Sequence, residues 1–163
     1  TTKGAYYSGV SGEYVDTGTV WQWPTNQPYV LTSHWGWRWG AFHDGVDISG
    51  TGHRSPIYAS LDGTVIASGW GGIVGESAGC NVVLSHENGY YTVYAHLNCQ
   101  NNAKYCASSV CEVYVAVGDY VTRGQVIGAM GTTGVSTGTH LHFGLFRGMP
   151  YGGGQTLNPL SLW

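Results

Sequence analysis

At 163 residues the chain is long enough to bury a hydrophobic core as one domain without help from metals or cross-links. Charged residues make up only 9%, whereas 27 residues are glycine and the 7 Trp and 12 Tyr outnumber all acidic and basic residues combined, which excludes a helical protein built on Glu, Lys and Ala. Six basic against nine acidic residues give a formal charge of -3, with no Lys/Arg stripe to neutralise phosphates, so nucleic acid is not an expected partner.

No apolar run is long enough to cross a bilayer, so membrane insertion is not expected. The amino terminus lacks the basic start and apolar segment of a signal peptide, which reads as a leader already removed or as one domain of a longer product. Residues 1 to about 20 are rich in Gly, Ser, Thr and Tyr and read as a lead-in or edge segment; 21–163 read as a single domain. Trp21-Gln22-Trp23-Pro24 alternates aromatic and polar residues, and Tyr29-Val30-Leu31-Thr32-Ser33 reads as a strand. Trp35-Gly36-Trp37-Arg38-Trp39-Gly40, too rich in glycine for a helix, is expected to be an aromatic loop.

Short β-type runs follow, separated by turn signals: Ile57-Tyr58-Ala59, then Thr64 to Ser68 after Asp62-Gly63, then a glycine-dense loop from Gly69 to Gly79. Asn81 to His86 and Tyr90 to His96 flank Glu87-Asn88-Gly89, a strong hairpin signal. Val113-Tyr114-Val115 and Gln125 to Met130 are expected as further strands, and Leu145-Phe146-Arg147 closes the series. The spacing predicts an all-β fold, an antiparallel sandwich or open barrel.

Four cysteines in a short window predict two disulfides and an oxidising compartment. The expected pairing is Cys106 with Cys111, closing a small loop, and Cys80 with Cys99, tying the ends of the hairpin, because it demands the least rearrangement. A four-thiolate zinc site is disfavoured, since the spacings lack paired Cys-x-x-Cys knuckles.

Thr139-His140-Leu141-His142-Phe143 places two imidazoles at i and i+2 of a β-type run, on one strand face, with Leu141 on the other. Alone, such a pair reads equally well as ordinary half-exposed strand residues. His43 and Asp47, with Gly45 between them to let the backbone turn closely, can present an imidazole and a carboxylate to one ion. A catalytic zinc takes three protein ligands and keeps a position open. His43, Asp47 and one of His140 and His142 would fill that set and leave the other histidine for chemistry. His96 ends a run in which Thr92, Tyr94 and His96 are expected to share a face, and supplies a second free imidazole. The helical His-Glu-x-x-His pattern is missing and the four glutamates sit in loops or termini, so proton transfer falls to histidine. His86, at a hairpin end, reads as a structural hydrogen-bonder; His34 and His53 lie in loops that can line a cleft.

Taken together, these residues resemble the lysostaphin-like family of zinc endopeptidases that cut bacterial peptidoglycan. The resemblance runs from Ser33-x-x-Gly36-x-Arg38 and His43-x-Gly45-x-Asp47 through Ala59-x-x-Asp62-Gly63-Thr64-Val65, Tyr94-Ala95-His96-Leu97, Val117-Gly118-Asp119-x-Val121, Gly124-Gln125-x-Ile127-Gly128 and Gly131-x-Thr133-Gly134 to Gly138-x-His140-Leu141-His142-Phe143 and Asn158-Pro159-Leu160. It implies a zinc ion held by His43, Asp47 and His142, with His96 and His140 as the catalytic pair. It also implies a small antiparallel β fold of the duplicated-hybrid-motif type with a loop-walled groove, making 21–163 a metallopeptidase catalytic domain.

The substrate implied is a peptidoglycan peptide, cut in the stem or the cross-bridge by a secreted or wall-associated monomer. The tryptophan-rich loop and the cysteine insertion depart from the family pattern and are both expected as groove walls. Three rival readings stand beside this one. A degenerate relative regulating other wall hydrolases would lack ligands, whereas all five positions are present. A biotinyl- or lipoyl-type carrier needs a lysine at a hairpin tip, which neither Lys3 nor Lys104 supplies. A carbohydrate- or wall-binding β module accounts for the aromatics and leaves the histidines unexplained.

Overall fold

The computed structural model describes the backbone of residues 3–8 and 13–163, and side chains from residue 19 onward. Strands β1 (Lys3–Ser8) and β2 (Glu13–Val20) pair antiparallel within the segment expected as a lead-in. The remainder of that segment, 1–2 and 9–12, lies outside the described residues. Twelve further strands follow: β3 (Val30–Ser33), β4 (Gly36–Arg38), β5 (Ala41–His43), β6 (Val46–Ser49), β7 (Pro56–Tyr58), β8 (Gly63–Trp70), β9 (Cys80–Ser85), β10 (Tyr90–Leu97), β11 (Tyr120–Val121), β12 (Val126–Ala129), β13 (Leu141–Arg147) and β14 (Gln155–Leu157). Among the described residues the only helical elements are short 3-10 turns.

The main sheet has eight strands in the order β11-β8-β9-β10-β13-β6-β3, with β14 beside the far half of β13. Its pairings are antiparallel throughout, as are the two-stranded pairs β7–β12 and β4–β5. The fold is therefore all-β and antiparallel, as the strand spacing predicts.

Period-two alternation decides which face holds the core. Val46 and Ile48 of β6, Val82 and Leu84 of β9, Tyr94 and Leu97 of β10, and Leu141 and Phe143 of β13 are fully buried, packed with Ile57 of β7 and Ile127 of β12. The small β7–β12 pair thus covers one face of the large sheet. On the other face Val83, Val93 and Phe146 form a smaller cluster with Val74. The rest of that face, where β6, β13 and the end of β10 meet, carries polar side chains.

The structure corrects several expectations. The Trp35–Trp39 segment is largely strand: β4 pairs with β5, setting Trp37 opposite Phe42, so the glycines mark hairpin geometry where a loop was expected. Val113 makes only an isolated bridge to Gly128, and Val113-Tyr114-Val115 forms no strand.

The disulfides join Cys80 to Cys111 and Cys99 to Cys106, with Cα atoms 5.6 and 6.3 Å apart, in place of the sequence-adjacent pairing. The cause is the path of the insertion, which folds back so that Cys99 and Cys111 form a bridge pair and the Glu112 amide donates to the Asn98 carbonyl at 2.6 Å. That brings Cys111 against Cys80 at the start of β9. The Cys80 sulfur still lies 4.0 Å from that of Cys99 and 3.7 Å from that of Cys106, so all four cysteines share one knot, in which Cys80, Cys99 and Cys111 are buried and Cys106 half-buried.

Candidate active site

The site begins with one register. β13 pairs with β6 so that His142 stands opposite Asp47, Leu141 opposite Ile48 and Phe143 opposite Val46. Directly opposed residues share a face. The four apolar side chains therefore enter the core while His142 and Asp47 stand side by side on the polar face.

His43, the last residue of β5, joins them. Its Nδ1 is 3.0 Å from the His34 carbonyl, which can only accept, so Nδ1 carries a proton, and Nε2 lies 3.2 Å from Asp47 Oδ1. Gly45 makes this approach sterically feasible: a Cβ there would lie 2.6 Å from the Phe143 carbonyl oxygen and 2.7 Å from His142 Nε2.

His142 is oriented the other way round. Its Nδ1 is 3.3 Å from Asp47 Oδ1 and its Nε2 3.1 Å from Asp44 Oδ1. One ligand atom from each of His43, Asp47 and His142 lies within 4.8 Å of the others. Two imidazole nitrogens and a carboxylate oxygen converging in this way are a donor set that fits a zinc ion. The other convergent group, Cys80, Cys106 and Cys111, is consumed by the disulfides.

His96 and His140 stand next to this set. Their rings are 4.8 Å apart, and His140 Nε2 is 3.7 Å from Asp47 Oδ1. Both rings are fixed through Nδ1: His96 donates to the Thr133 carbonyl at 2.7 Å and His140 to the Gly138 carbonyl at 2.8 Å. Each therefore turns an Nε2 lone pair away from its anchoring carbonyl.

His96 reaches the groove by a route the alternation pattern does not show. Thr92 and Tyr94 are buried on the core side, where the Thr92 hydroxyl donates to the Tyr94 hydroxyl at 2.8 Å. The β9–β10 register slips between Tyr94 and Leu97, and His96 has φ 61°, in the left-handed region. This bulge turns His96 to the same side as Ala95, which pairs with His142. The expectation that Thr92, Tyr94 and His96 share a face is corrected accordingly.

The local field follows from these contacts. Burial pushes the Asp47 carboxyl up, yet the hydrogen bonds from His142 and His43 outweigh it and hold Asp47 far below the usual carboxylate range. Burial pushes His142 down, but Asp44 and Asp47 on its two nitrogens raise it to about 9. Burial lowers His96 to about 4, so it is neutral at pH 7.

The five residues line an open groove of about 440 Å3. One wall is the 71–79 loop with Val74 and Ser77, locked to the 133–139 loop by the Val135 amide donating to the Ser77 carbonyl at 2.8 Å. That contact needs Gly134, whose φ is 74° and whose Cβ would lie 2.4 Å from the Ser77 oxygen. Arg38 of the aromatic hairpin and Tyr151 form the opposite rim.

No described residue of the cysteine insertion lines the groove, which corrects its expected role as a wall. The insertion props the 133–139 loop from outside, through Lys104 Nζ to the Ser136 carbonyl at 2.6 Å. His86 is buried between the Asp62 carbonyl and the Thr92 hydroxyl, a structural role, and His53 contacts Thr139 and Asn102. Sequence reasoning missed Asp44 and Tyr151. Asp44 follows a candidate ligand directly and belongs to no spacing pattern, and Tyr151 is brought in by a glycine-rich loop far along the chain.

Comparison with known proteins places this geometry among relatives. The model of Peptidase family M23 matches residues 41–159. The chain is 33% identical over 126 residues to the DD-carboxypeptidase/endopeptidase Mpg of Neisseria meningitidis, covering 77% of this chain and 23% of that protein, so it spans about a quarter of that relative's length. Among solved structures it superposes on the catalytic domain of the antimicrobial peptidase lysostaphin from Staphylococcus simulans with a TM-score of 0.63 at 28% identity, covering 81% of this chain and 90% of that one. A zinc-containing peptidase from Vibrio cholerae gives a TM-score of 0.64 at 26% identity, covering 94% and 44%.

Proposed function

The chain belongs to peptidase family M23, and from that premise we propose that it is a zinc-dependent endopeptidase that hydrolyses peptide bonds in the stems or cross-bridges of peptidoglycan. The observation that carries this reading is the convergence of ligand atoms from His43, Asp47 and His142 within 4.8 Å, with two further imidazoles beside them. His43 and His142 turn different nitrogens to the same carboxylate oxygen, while His140 and His96 are anchored through Nδ1 and leave Nε2 as the ring atom turned from that anchor.

His43, Asp47 and His142 are the residues that would hold the metal. Bound zinc supplies a Lewis acid for the scissile carbonyl and lowers the pKa of a water to about 7. His140 and His96 then handle protons. In its neutral form each has Nδ1–H tied to a backbone carbonyl, so each accepts at Nε2. Whichever takes the proton of the attacking water becomes an imidazolium able to donate to the developing oxyanion or the leaving amine. Burial of His96 favours the neutral acceptor at the start of the cycle.

A peptide bound in the open groove would meet Asp44, Asp47 and Arg38 as charged groups of its lining. The two disulfides support action outside the cytoplasm, where peptidoglycan lies. We further propose that 21–163 forms the catalytic domain, acting as a monomer.

The test is digestion of purified muropeptides, glycine-bridged and directly cross-linked, read by mass spectrometry. Products heavier in sum than the substrate by one water, lost on chelation and restored by zinc, are expected. Intact substrates of both kinds after prolonged incubation with zinc-loaded protein would overturn the assignment.

A further inference from the structure

We propose that Asp44 is a positioning residue for the metal centre, aligning His142 through its Nε2 so that Nδ1 faces the ion, and that Tyr151 in turn fixes Asp44. The proposal rests on the reading that His43, Asp47 and His142 hold zinc.

Three observations carry it. His142 differs from its three neighbours: among the described residues no backbone carbonyl anchors either nitrogen, and the anchor at the ring atom turned away from Asp47 is the Asp44 carboxylate at 3.1 Å. A metal-bound imidazole is held by what its other nitrogen donates to, and a carboxylate there fixes the tautomer and strengthens the ligand.

Asp44 is itself held at both ends. Its second oxygen accepts from the Tyr151 hydroxyl at 2.8 Å, and its carbonyl accepts from the Thr156 hydroxyl at 3.4 Å, which is in turn contacted by Trp35 Nε1 at 3.0 Å. Tyr151 is also set for this contact. It has φ 59°, in a region costly for a tyrosine, in a loop closed by the amides of Gly152 and Gly154 donating to the Met149 carbonyl. Its ring packs 5.2 Å from Phe146, which is buried on the same strand as His142. The relay Tyr151–Asp44–His142 thus ties the closing loop of the chain to the candidate ligand, and Gly45 leaves the space for it.

The test is zinc affinity, measured by competition with a chromogenic chelator and independent of turnover. Asp44→Ala is expected to weaken zinc binding by about 10–100-fold, the usual consequence of removing such a partner. Asp44→Asn keeps an acceptor oxygen and the side-chain shape, so it is expected to lose less than Asp44→Ala with an unchanged melting midpoint, which separates misalignment from misfolding. Tyr151→Phe is expected to weaken binding by a smaller factor than Asp44→Ala.

In the zinc-loaded protein labelled with 15N-histidine, His142 should carry its proton on Nε2, and that proton should exchange faster in Asp44→Ala. Equal zinc affinity in wild type and Asp44→Ala, or a His142 proton found on Nδ1, overturns this inference alone. Wild-type protein that takes up no zinc overturns the zinc reading as well.

Discussion

A single oxygen, Asp47 Oδ1, lies 3.2 Å from His43 Nε2, 3.3 Å from His142 Nδ1 and 3.7 Å from His140 Nε2. What separates the candidate ligands from the candidate catalysts is convergence: one ligand atom from each of His43, Asp47 and His142 lies within 4.8 Å of the others, while His96 and His140 stand beside that group. His142→Ala is expected to abolish zinc uptake and turnover together. His140→Ala and His96→Ala should keep zinc and lose turnover by about 10²–10⁴-fold, the range for a positioned acid or base. Kinetics paired with metal analysis check this, and full activity in either catalytic variant would contradict the roles. Gly45→Ala should cost roughly 1–3 kcal/mol as an overpacked site, read as a lower urea midpoint, because its Cβ would meet Phe143 and His142. The His-x-His pair and the His43/Asp47 spacing were legible in the sequence because strand alternation and a short turn are local patterns. Asp44 was not, because its contact with His142 spans 98 positions of the chain and no local pattern encodes it.

At the scale of elements, the bulge in β10 decides whether His96 serves the groove. Thr133 holds it in place: its hydroxyl donates to the Leu97 carbonyl at 2.5 Å and accepts from the Cys80 amide at 3.0 Å, while its own carbonyl anchors His96. Thr133→Val removes both of these hydroxyl hydrogen bonds from buried backbone groups and is expected to cost roughly 2–6 kcal/mol, at about 1–3 for each group. Turnover measured well below the melting midpoint should fall while zinc content is unchanged. The alternating run Tyr90 to His96 predicted the strand correctly and the facing of its last residue wrongly, since a one-residue bulge leaves no trace in an apolar–polar pattern. The same hairpin contains a pH-sensitive element. Burial lowers His86 from 6.5 to about 4, so the unfolded chain takes up a proton first as pH falls. The stability it contributes is complete above about pH 6.5 and is lost as pH falls toward 4, on the order of 2–3 kcal/mol between pH 7 and 4.5. Urea denaturation at those two pH values should show a shallower loss in His86→Gln than in wild type. Equal losses would contradict a buried neutral His86.

For the molecule as a whole, the large sheet is the platform: its apolar face is sealed by β7–β12, and its opposite face carries the groove between loops. Strand spacing and composition made this class legible. The disulfide pairing was not legible, because the insertion's fold-back, which sets Cys111 against Cys80, is a tertiary event. Peptide mapping should find Cys80–Cys111 and Cys99–Cys106. Replacing Cys80 and Cys111 together by Ala should cost roughly 3–4 kcal/mol for a cross-link spanning 31 residues while sparing zinc binding, since the insertion lies behind the groove wall. The proposed chemistry depends on His43, Asp47 and His142 acting as one metal site. Its most direct test is the zinc content of the purified protein, wild type beside His142→Ala, after equilibration with zinc and removal of the excess. About one zinc per chain is expected in the wild type and essentially none in the variant; a wild type that takes up no zinc, or a variant that retains it in full, would contradict a metal site built on these three residues.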